Sequence, residues 1–511
     1  MGARVANLRA FEKFAAGGIS KRRLTYWRVA DSLSCMTNLQ VRVAGVLGLG
    51  WVMAVVLPLV AQNSLPAATA RQIDAAAADV LKATEVPSAS VAVVQDGKVA
   101  FVRAYGMARL EPAMSARPGM HYSIGSVSKQ FTAAILLLLM QDGKLKLDDP
   151  VGKYLPELTR ASEVTIRQVL SMTSGYQDFW PEDYVMTSMM KPTNPQQILD
   201  VWAKKPLDFE PGTQWQYSNT NYVIAGRIAE IVGGKLLTEQ LQERIFQPLK
   251  MSDVFNSDAS RLPASDPLGY YQHALGPLRP APQEGQGWMF AAGELAMPAS
   301  DLALWNISLM YRSLLAPASY DAMFTEVKLK DGKGTGYGLG VQVGVRDGHR
   351  YVGHSGEVSG FVSENIVFPD DKAAVTVLTN EDASSAAATL ALKIAPLVLA
   401  GASWKNVENT TTAPEKRALD ILTGLQEGKL DRSQLTPLCD AYFTDEAMED
   451  FAESLGPLGA PSSFKQVAEE KRGGMTFRVF NVSFPGKQVR VTVYEEPDGK
   501  IEQYLVTATG S

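Results

Sequence analysis

The stretch "HYSIGSVSKQFTAAILLLLMQDGKL", residues 121–145, sets a serine and a lysine three residues apart at the front of a strongly apolar run. The pair is Ser126 and Lys129. Spacing alone decides nothing: a chain of this length should show about two S-x-x-K matches by chance. It has three, at Ser126/Lys129, Ser188/Lys191 and Ser462/Lys465. Context separates them. The apolar run after Lys129 suits a buried core helix better than a membrane span, and Asp142-Gly143 supplies its stop. Ser126 would open that helix, where backbone N–H groups favour negative charge. Lys129 would lie on the same face, roughly 5–6 Å away between Cβ atoms. Burial beside leucines would lower the ammonium pKa, the condition for a lysine base. The competing reading makes Ser126 an N-cap and lets Lys129 snorkel to solvent. Ser188/Lys191 falls in a Met-rich loop before Pro192, and Ser462/Lys465 lies outside any apolar helix.

Working outward, "SASVAVVQDGKVAFVRAYG" reads as two strands around Asp96-Gly97, a hairpin signal. Before it, residues 67–84 read as an alanine-rich helix. From about 145 to 330 the pattern is helical and proline-rich. Strands return at "GTGYGLGVQVGV", "RYVGHSG", "GFVSENIVFP" and "KAAVTVLTN", and a last helix runs from about Ser384 to Leu399. This order suggests one mixed sheet assembled from both ends of the domain, with helices on its faces and a helical insertion between.

Residues 401–413 read as a linker. Residues 414–511 read as a small α+β accessory domain, helical first ("EKRALDILTGLQEGKL") and then stranded. Val489, Val491 and Val493 alternate with Arg490 and Thr492, and turns fall at Pro485-Gly486 and Asp498-Gly499. That period fits an antiparallel sheet with one buried face.

The 511 residues exceed one typical domain. A net charge of −5 carries no nucleic-acid footprint. Cys35 and Cys439 are the only cysteines, and the four histidines are scattered, so neither a disulfide framework nor a metal site is indicated. Residues 1–61 read as a targeting region. The apolar run 43–61 follows Arg42, with Lys21, Arg22, Arg23 and Arg28 upstream. A signal peptide ending near Ala61 is preferred to an uncleaved membrane anchor, with Met36 as an alternative start. Both readings export everything after about residue 62, to the periplasm or its membrane face.

Two further segments give the Ser126/Lys129 pair a setting. "FEPGTQWQYSNTNYVIAGRIAEIVGG" contains Tyr217-Ser218-Asn219 before a helical stretch. "YVGHSGEVSGF" contains His354-Ser355-Gly356 at a strand end. With "SVSK", "YSN" and "HSG" in this order, the chain resembles the penicillin-recognising serine hydrolases: class C β-lactamases, related D-alanyl-D-alanine carboxypeptidases and β-lactamase-like esterases. The likeness extends to "VTIRQVLSMTSGY", "IFQPLKMSDV" and "FAAGELAMPASDLALW", and covers about residues 67–400.

The resemblance implies a mostly antiparallel sheet flanked by helices, and an acyl-enzyme mechanism without a cofactor. Ser126 would be the nucleophile, Lys129 its base and Tyr217 the proton donor to the leaving group. Asn219 would bind the substrate amide. His354, Ser355 and Gly356 would line the opposite wall, and the N–H groups of Ser126 and Glu357 would form the oxyanion hole. Ester, D-amino-acid peptide or β-lactam-like amide would all be substrates in principle. A carboxypeptidase or esterase is preferred over a fast β-lactamase, because His354 replaces the lysine of most β-lactamases and is a weaker cation near neutral pH. Met172 stands where many relatives have histidine and is read as packing. The alternative is a sensor or binder of cell-wall fragments that acylates without turnover. The accessory domain shows no cluster of catalytic residue types.

Overall fold

The computed structural model describes residues 65–399 and 413–510. The apolar run 43–61 and nearly all of the 401–413 linker lie outside the described residues.

The first elements follow directly from residue pattern. Helix α1 (Ala67–Thr84) precedes strands β1 (Ser88–Gln95) and β2 (Lys98–Arg109). Asp96 and Gly97 join the two strands, both with positive φ (53° and 70°), as a tight hairpin turn requires. A two-residue strand β3 (Met114–Ser115) extends β2. Much later come β4 (Gln342–Arg346), β5 (His349–Val358), β6 (Phe361–Phe368) and β7 (Ala373–Thr379). All seven form one sheet in the order β3-β2-β1-β7-β6-β5-β4. The two ends of the domain meet where β1 pairs with β7. Every pairing is antiparallel, so the strand direction that element order left mixed is uniform.

Both faces of the sheet centre are covered, which is why β1 and β7 read as continuous apolar runs rather than alternating ones. Val91 and Val93 of β1, with Val375 and Val377 of β7, pack against α1 and a late helix, Ala386–Val398. Ala92, Val94, Ala374 and Leu378 face the other way, into the core of the helical insertion. Helix α2 (Lys129–Gln141) crosses that second core. Its residues from Lys129 to Leu139 are buried all round, as an apolar helix without a polar face must be. Helix α3 (Asn219–Gly233) packs on α2.

Residues 413–510 build a third core. Strands β8 (Ser463–Arg472), β9 (Met475–Phe484), β10 (Lys487–Glu495) and β11 (Ile501–Ala508) form an antiparallel meander. Val489, Val491 and Val493 point inward onto Leu422, Phe451 and Leu455. This sheet does not hang free. Asp183 and Gln503 exchange two hydrogen bonds, of 2.7 and 2.9 Å. Arg279 holds the buried Asp450 through two N–H groups, and Ser385 donates to the Ala508 carbonyl at 3.2 Å. Among the described residues no helix is long and apolar enough to cross a membrane.

Candidate active site

Ser126 lies in a single 3₁₀ turn, Gly125–Ser128, that leads into α2, and Lys129 is the first residue of the helix. The turn has no side-chain cap, and Lys129 is fully buried, so the cap-and-snorkel alternative fails here. The Lys129 amine has three oxygen partners: Ser126 Oγ at 2.8 Å, Asn219 Oδ1 at 2.8 Å and the Ala292 carbonyl at 2.9 Å. Burial drives its pKa well below the lysine norm. A nearby Asp178 opposes that shift and Arg472 adds to it. A neutral amine satisfies this cage completely: two N–H groups serve the two carbonyl oxygens, and the lone pair faces the Ser126 hydroxyl.

Tyr217 sits beside this pair. The Lys129 nitrogen lies 5.0 Å from its ring centre. Burial raises the phenol pKa, while the Ser126 hydroxyl and Arg472 pull it back. Asn219 opens α3 and bonds the lysine directly. Behind it stands Asp178, a buried carboxylate that accepts the Asn219 backbone N–H at 2.8 Å and its side-chain N–H at 3.4 Å. The "YSN" segment is thus fixed from both sides.

The opposite wall is the end of β5. A Cβ on Gly125 would fall 2.6 Å from Glu357 N, and one on Gly356 would fall 2.9 Å from Ser126 N. Only glycines allow the two backbones to approach this closely. The nucleophile turn and the residue after "HSG" therefore share one corner, where two N–H groups can meet a developing oxyanion. Ser363 of β6 locks the corner by donating to the Ile124 carbonyl at 2.8 Å.

His354 corrects one expectation. It is not a weak cation facing the substrate. Its Nδ1 donates to the Ser355 carbonyl at 2.5 Å and its Nε2 accepts from the Tyr337 hydroxyl at 2.8 Å. Burial, reinforced by Lys129, pushes its pKa down to about 3. It is neutral at physiological pH and supplies shape, not charge. Met172 is buried, and its sulfur accepts the Ser218 N–H at 3.5 Å, so it supports the "YSN" segment by packing.

The cavity at this site holds about 270 Å³. Phe179, Trp180, Trp215 and Trp288 give it aromatic walls, and Ser355, Gly356 and Glu357 line it with the other site residues. Carboxyl side chains crowd its rim: Glu182, Asp183, Glu357, Asp382 and Glu470. Burial lifts Glu182 to about 8 and Asp382 to about 7. Arg472 lines it too. Ser188 and Ser462 are exposed and lie outside this cavity. Among the described residues, no cluster of His, Cys, Asp or Glu is arranged to hold a metal ion.

With this geometry the sequence comparison is decisive: residues 73–398 match the Beta-lactamase family profile. The chain belongs to the beta-lactamase family. Its relatives include the D-aminopeptidase of Cereibacter sphaeroides, 30% identical over 321 residues, which are 61% of this chain and 60% of that protein. Protein flp of Staphylococcus aureus is 27% identical over 321 residues, 61% of this chain and 63% of that one. The chain thus spans about three-fifths of the length of these relatives. Among solved structures, a D-stereospecific amidohydrolase from Streptomyces sp. superposes with a TM-score of 0.56 at 27% identity, covering 66% of this chain and 99% of its own. A penicillin-binding protein homologue from Pyrococcus abyssi shares the fold, with a TM-score of 0.57 and 21% identity, over 86% of this chain and 99% of its own. That likeness in fold reaches beyond the family match.

Asp178, Tyr337 and Arg472 escaped the sequence reading. Asp178 follows the "SMTSGY" segment closely and could have been suspected; nothing in the sequence marks the other two.

The neutral His354 has a measurable consequence. In the unfolded chain it would titrate near 6.5, so between that value and about 3 the unfolded state binds the extra proton. Its contribution to stability is complete above pH 6.5 and is lost as pH falls, at up to about 1.4 kcal/mol per unit. His354→Gln should flatten the acid side of the stability curve relative to wild type. Urea melts between pH 4 and 7 would show this; parallel curves would contradict the neutral assignment.

Proposed function

We propose that this protein is an exported serine hydrolase that forms an acyl-enzyme on Ser126. The observation that carries the reading is the 2.8 Å contact between Ser126 Oγ and a fully buried, proton-poor Lys129 amine. Lys129 takes the Ser126 proton as Oγ attacks the substrate carbonyl. The N–H groups of Ser126 and Glu357 receive the oxyanion. Tyr217, which shares the cavity with Ser126, gives a proton to the leaving group as the acyl-enzyme forms. Water then attacks the ester, giving a proton to the Tyr217 phenolate, while Lys129 returns its proton to Ser126 Oγ as the acid leaves. Asn219 holds both the lysine and the substrate amide in register.

The cavity favours a particular substrate class. Five carboxyl groups and the Arg472 guanidinium line it, burial raising Glu182, Glu357, Asp382 and Glu470, and His354 brings no positive charge to the wall opposite Tyr217. Carboxyl groups that burial holds protonated can ionise against an incoming ammonium, whereas a substrate carboxylate must compete with Asp178 and Asp183 for Arg472. The D-aminopeptidase and D-stereospecific amidohydrolase relatives agree with that preference. The substrate class is therefore amides and short peptides of D-amino acids with a free amino terminus, with simple esters as secondary substrates and β-lactams as slow ones. The positively flanked apolar run at residues 43–61 supports export. Cell fractionation should place the activity outside the cytoplasm; a cytosolic full-length product would contradict it.

A fluorophosphonate should label one peptide, that containing Ser126, and Ser126→Ala should abolish labelling. Lys129→Arg places a permanent cation there and removes any accessible neutral amine. It should slow labelling by at least about 10²-fold. Rates near wild type would reduce the lysine to an electrostatic role.

A panel of D-phenylalanine p-nitroanilide, its N-acetyl derivative, p-nitrophenyl acetate and a chromogenic cephalosporin tests the substrate class. N-acetylation should lower kcat/KM by about tenfold or more, the weight of a hydrogen bond to a charged group. Equal rates for the free and acetylated amides, or cephalosporin turnover faster than that of the free amide, would overturn the choice.

A further inference from the structure

We propose that Arg472, at the tip of the β8–β9 hairpin, is a positioning residue of the active site: its guanidinium balances the Asp178 carboxylate behind Asn219 and so keeps Lys129 competent as a base. The inference rests on the Ser126/Lys129 reading above and extends the site into the C-terminal sheet.

The hairpin is built to reach the site. Gly473 and Gly474 make its turn, both with positive φ (59° and 81°). A Cβ on Gly473 would fall 2.9 Å from Pro181 Cβ, so the tip is pressed against the loop that carries Asp178. Arg472 forms a parallel β-bridge with Tyr217, joining the hairpin backbone to the "YSN" segment. The side chain continues inward. Its guanidinium carbon lies 5.4 Å from the centre of the Tyr217 ring. One terminal nitrogen donates to Tyr494 Oη at 2.7 Å and to Asp183 Oδ1 at 3.2 Å. Nε is buried with no hydrogen-bond partner, 3.8 Å from Asp178 Oδ2. Bracing the hairpin would need only the outer contacts. The inner nitrogen is spent on facing a carboxylate.

The electrostatic consequence has a definite sign. Around Arg472 stand Asp178 and Asp183 from the loop that carries Pro181, Tyr217 from the "YSN" segment, Glu357 from β5, Glu470 from its own strand and Tyr494 from β10. Around Lys129 stand Asp178, Arg472, Tyr217, Tyr222 and the neutral His354. Burial raises the Asp178 carboxyl and Arg472 pulls it back; the Asp178 charge favours the Lys129 ammonium, and Arg472 opposes it. Without the guanidinium, the unbalanced carboxylate would hold the proton on Lys129, and a higher pH would be needed to free the base.

The experiment is the pH dependence of Ser126 labelling by a fluorophosphonate, with the purified full chain, in wild type, Arg472→Ala, Arg472→Lys, Asp178→Asn and the Arg472→Ala/Asp178→Asn double variant. The acid-limb midpoint should rise by about one unit in Arg472→Ala, equivalent to a tenfold loss of rate on that limb. It should stay within about half a unit of wild type in Arg472→Lys, which keeps the charge. It should fall in Asp178→Asn and return toward wild type in the double variant, where both charges are gone. If Arg472→Ala does not fold, the opposite shift in Asp178→Asn and the retained midpoint in Arg472→Lys carry the test. A uniform loss of rate with unmoved midpoints, the mark of a purely structural brace, overturns the inference and leaves the Ser126 reading intact. A wild-type enzyme that is not labelled at Ser126 overturns both.

Discussion

A lysine amine buried without exposure and held by three oxygens is the constraint around which this molecule is arranged. An ammonium there would lose most of its hydration, which is costly unless charge and hydrogen bonds compensate fully. Burial therefore lowers its pKa, and an amine that has given up a proton avoids that cost while keeping two N–H groups for the carbonyl oxygens. The arrangement demands that each partner come from a different part of the chain. Ser126 arrives from the turn before α2, Asn219 from the start of α3, and the Ala292 carbonyl from a loop further along the helical insertion. The insertion is therefore a roof as well as a wall: it keeps the amine dry and supplies two of its acceptors.

The same demand explains the glycines. The corner between the nucleophile turn and β5 has no room for two side chains, so Gly125 and Gly356 bring the backbones together. The sheet then acts as a rigid rail. Pairing of β5 with β6 fixes Gly356 opposite Ser363, whose hydroxyl returns to Ile124 just before the turn. Ser126 and the backbone of Gly356 and Glu357 are held by the same few bonds. A disturbance at one reaches the other.

Much of this was legible in the residues. The apolar run after Lys129 marks a helix buried on every side, and the Asp96-Gly97 hairpin and the C-terminal valine alternation follow from local chemistry that no tertiary contact overrides. Tyr217, Asn219 and His354 were found because each sits in a short motif. What was not legible is long-range. Arg472 lies 294 residues from Asp178 in the chain, in a strand whose pattern is that of an exposed edge. The Gly473-Gly474 pair announces a turn, but no periodicity says where its tip will dock. The charge state of His354 failed for a related reason. Composition suggests a titrating histidine, and only the Tyr337 hydroxyl and the burial show that the proton is excluded.

The electrostatics of the cavity follow from these placements. A neutral His354 leaves the wall opposite Tyr217 without a fixed cation, and Arg472 is engaged by Asp183, Tyr494 and the field of Asp178. A substrate carboxylate would therefore have to compete with buried carboxylates for the one guanidinium at the rim. An ammonium meets the reverse situation. It finds carboxyl groups already raised in pKa by burial, such as Asp382 near 7, which ionise more readily as the cation arrives. Part of that rim, Glu470 and Arg472, belongs to the C-terminal sheet. Under the proposed ammonium-bearing substrate class, preference would be set jointly by the family fold and by a hairpin outside the matched segment, so swapping residues 73–398 alone would not carry the preference with it.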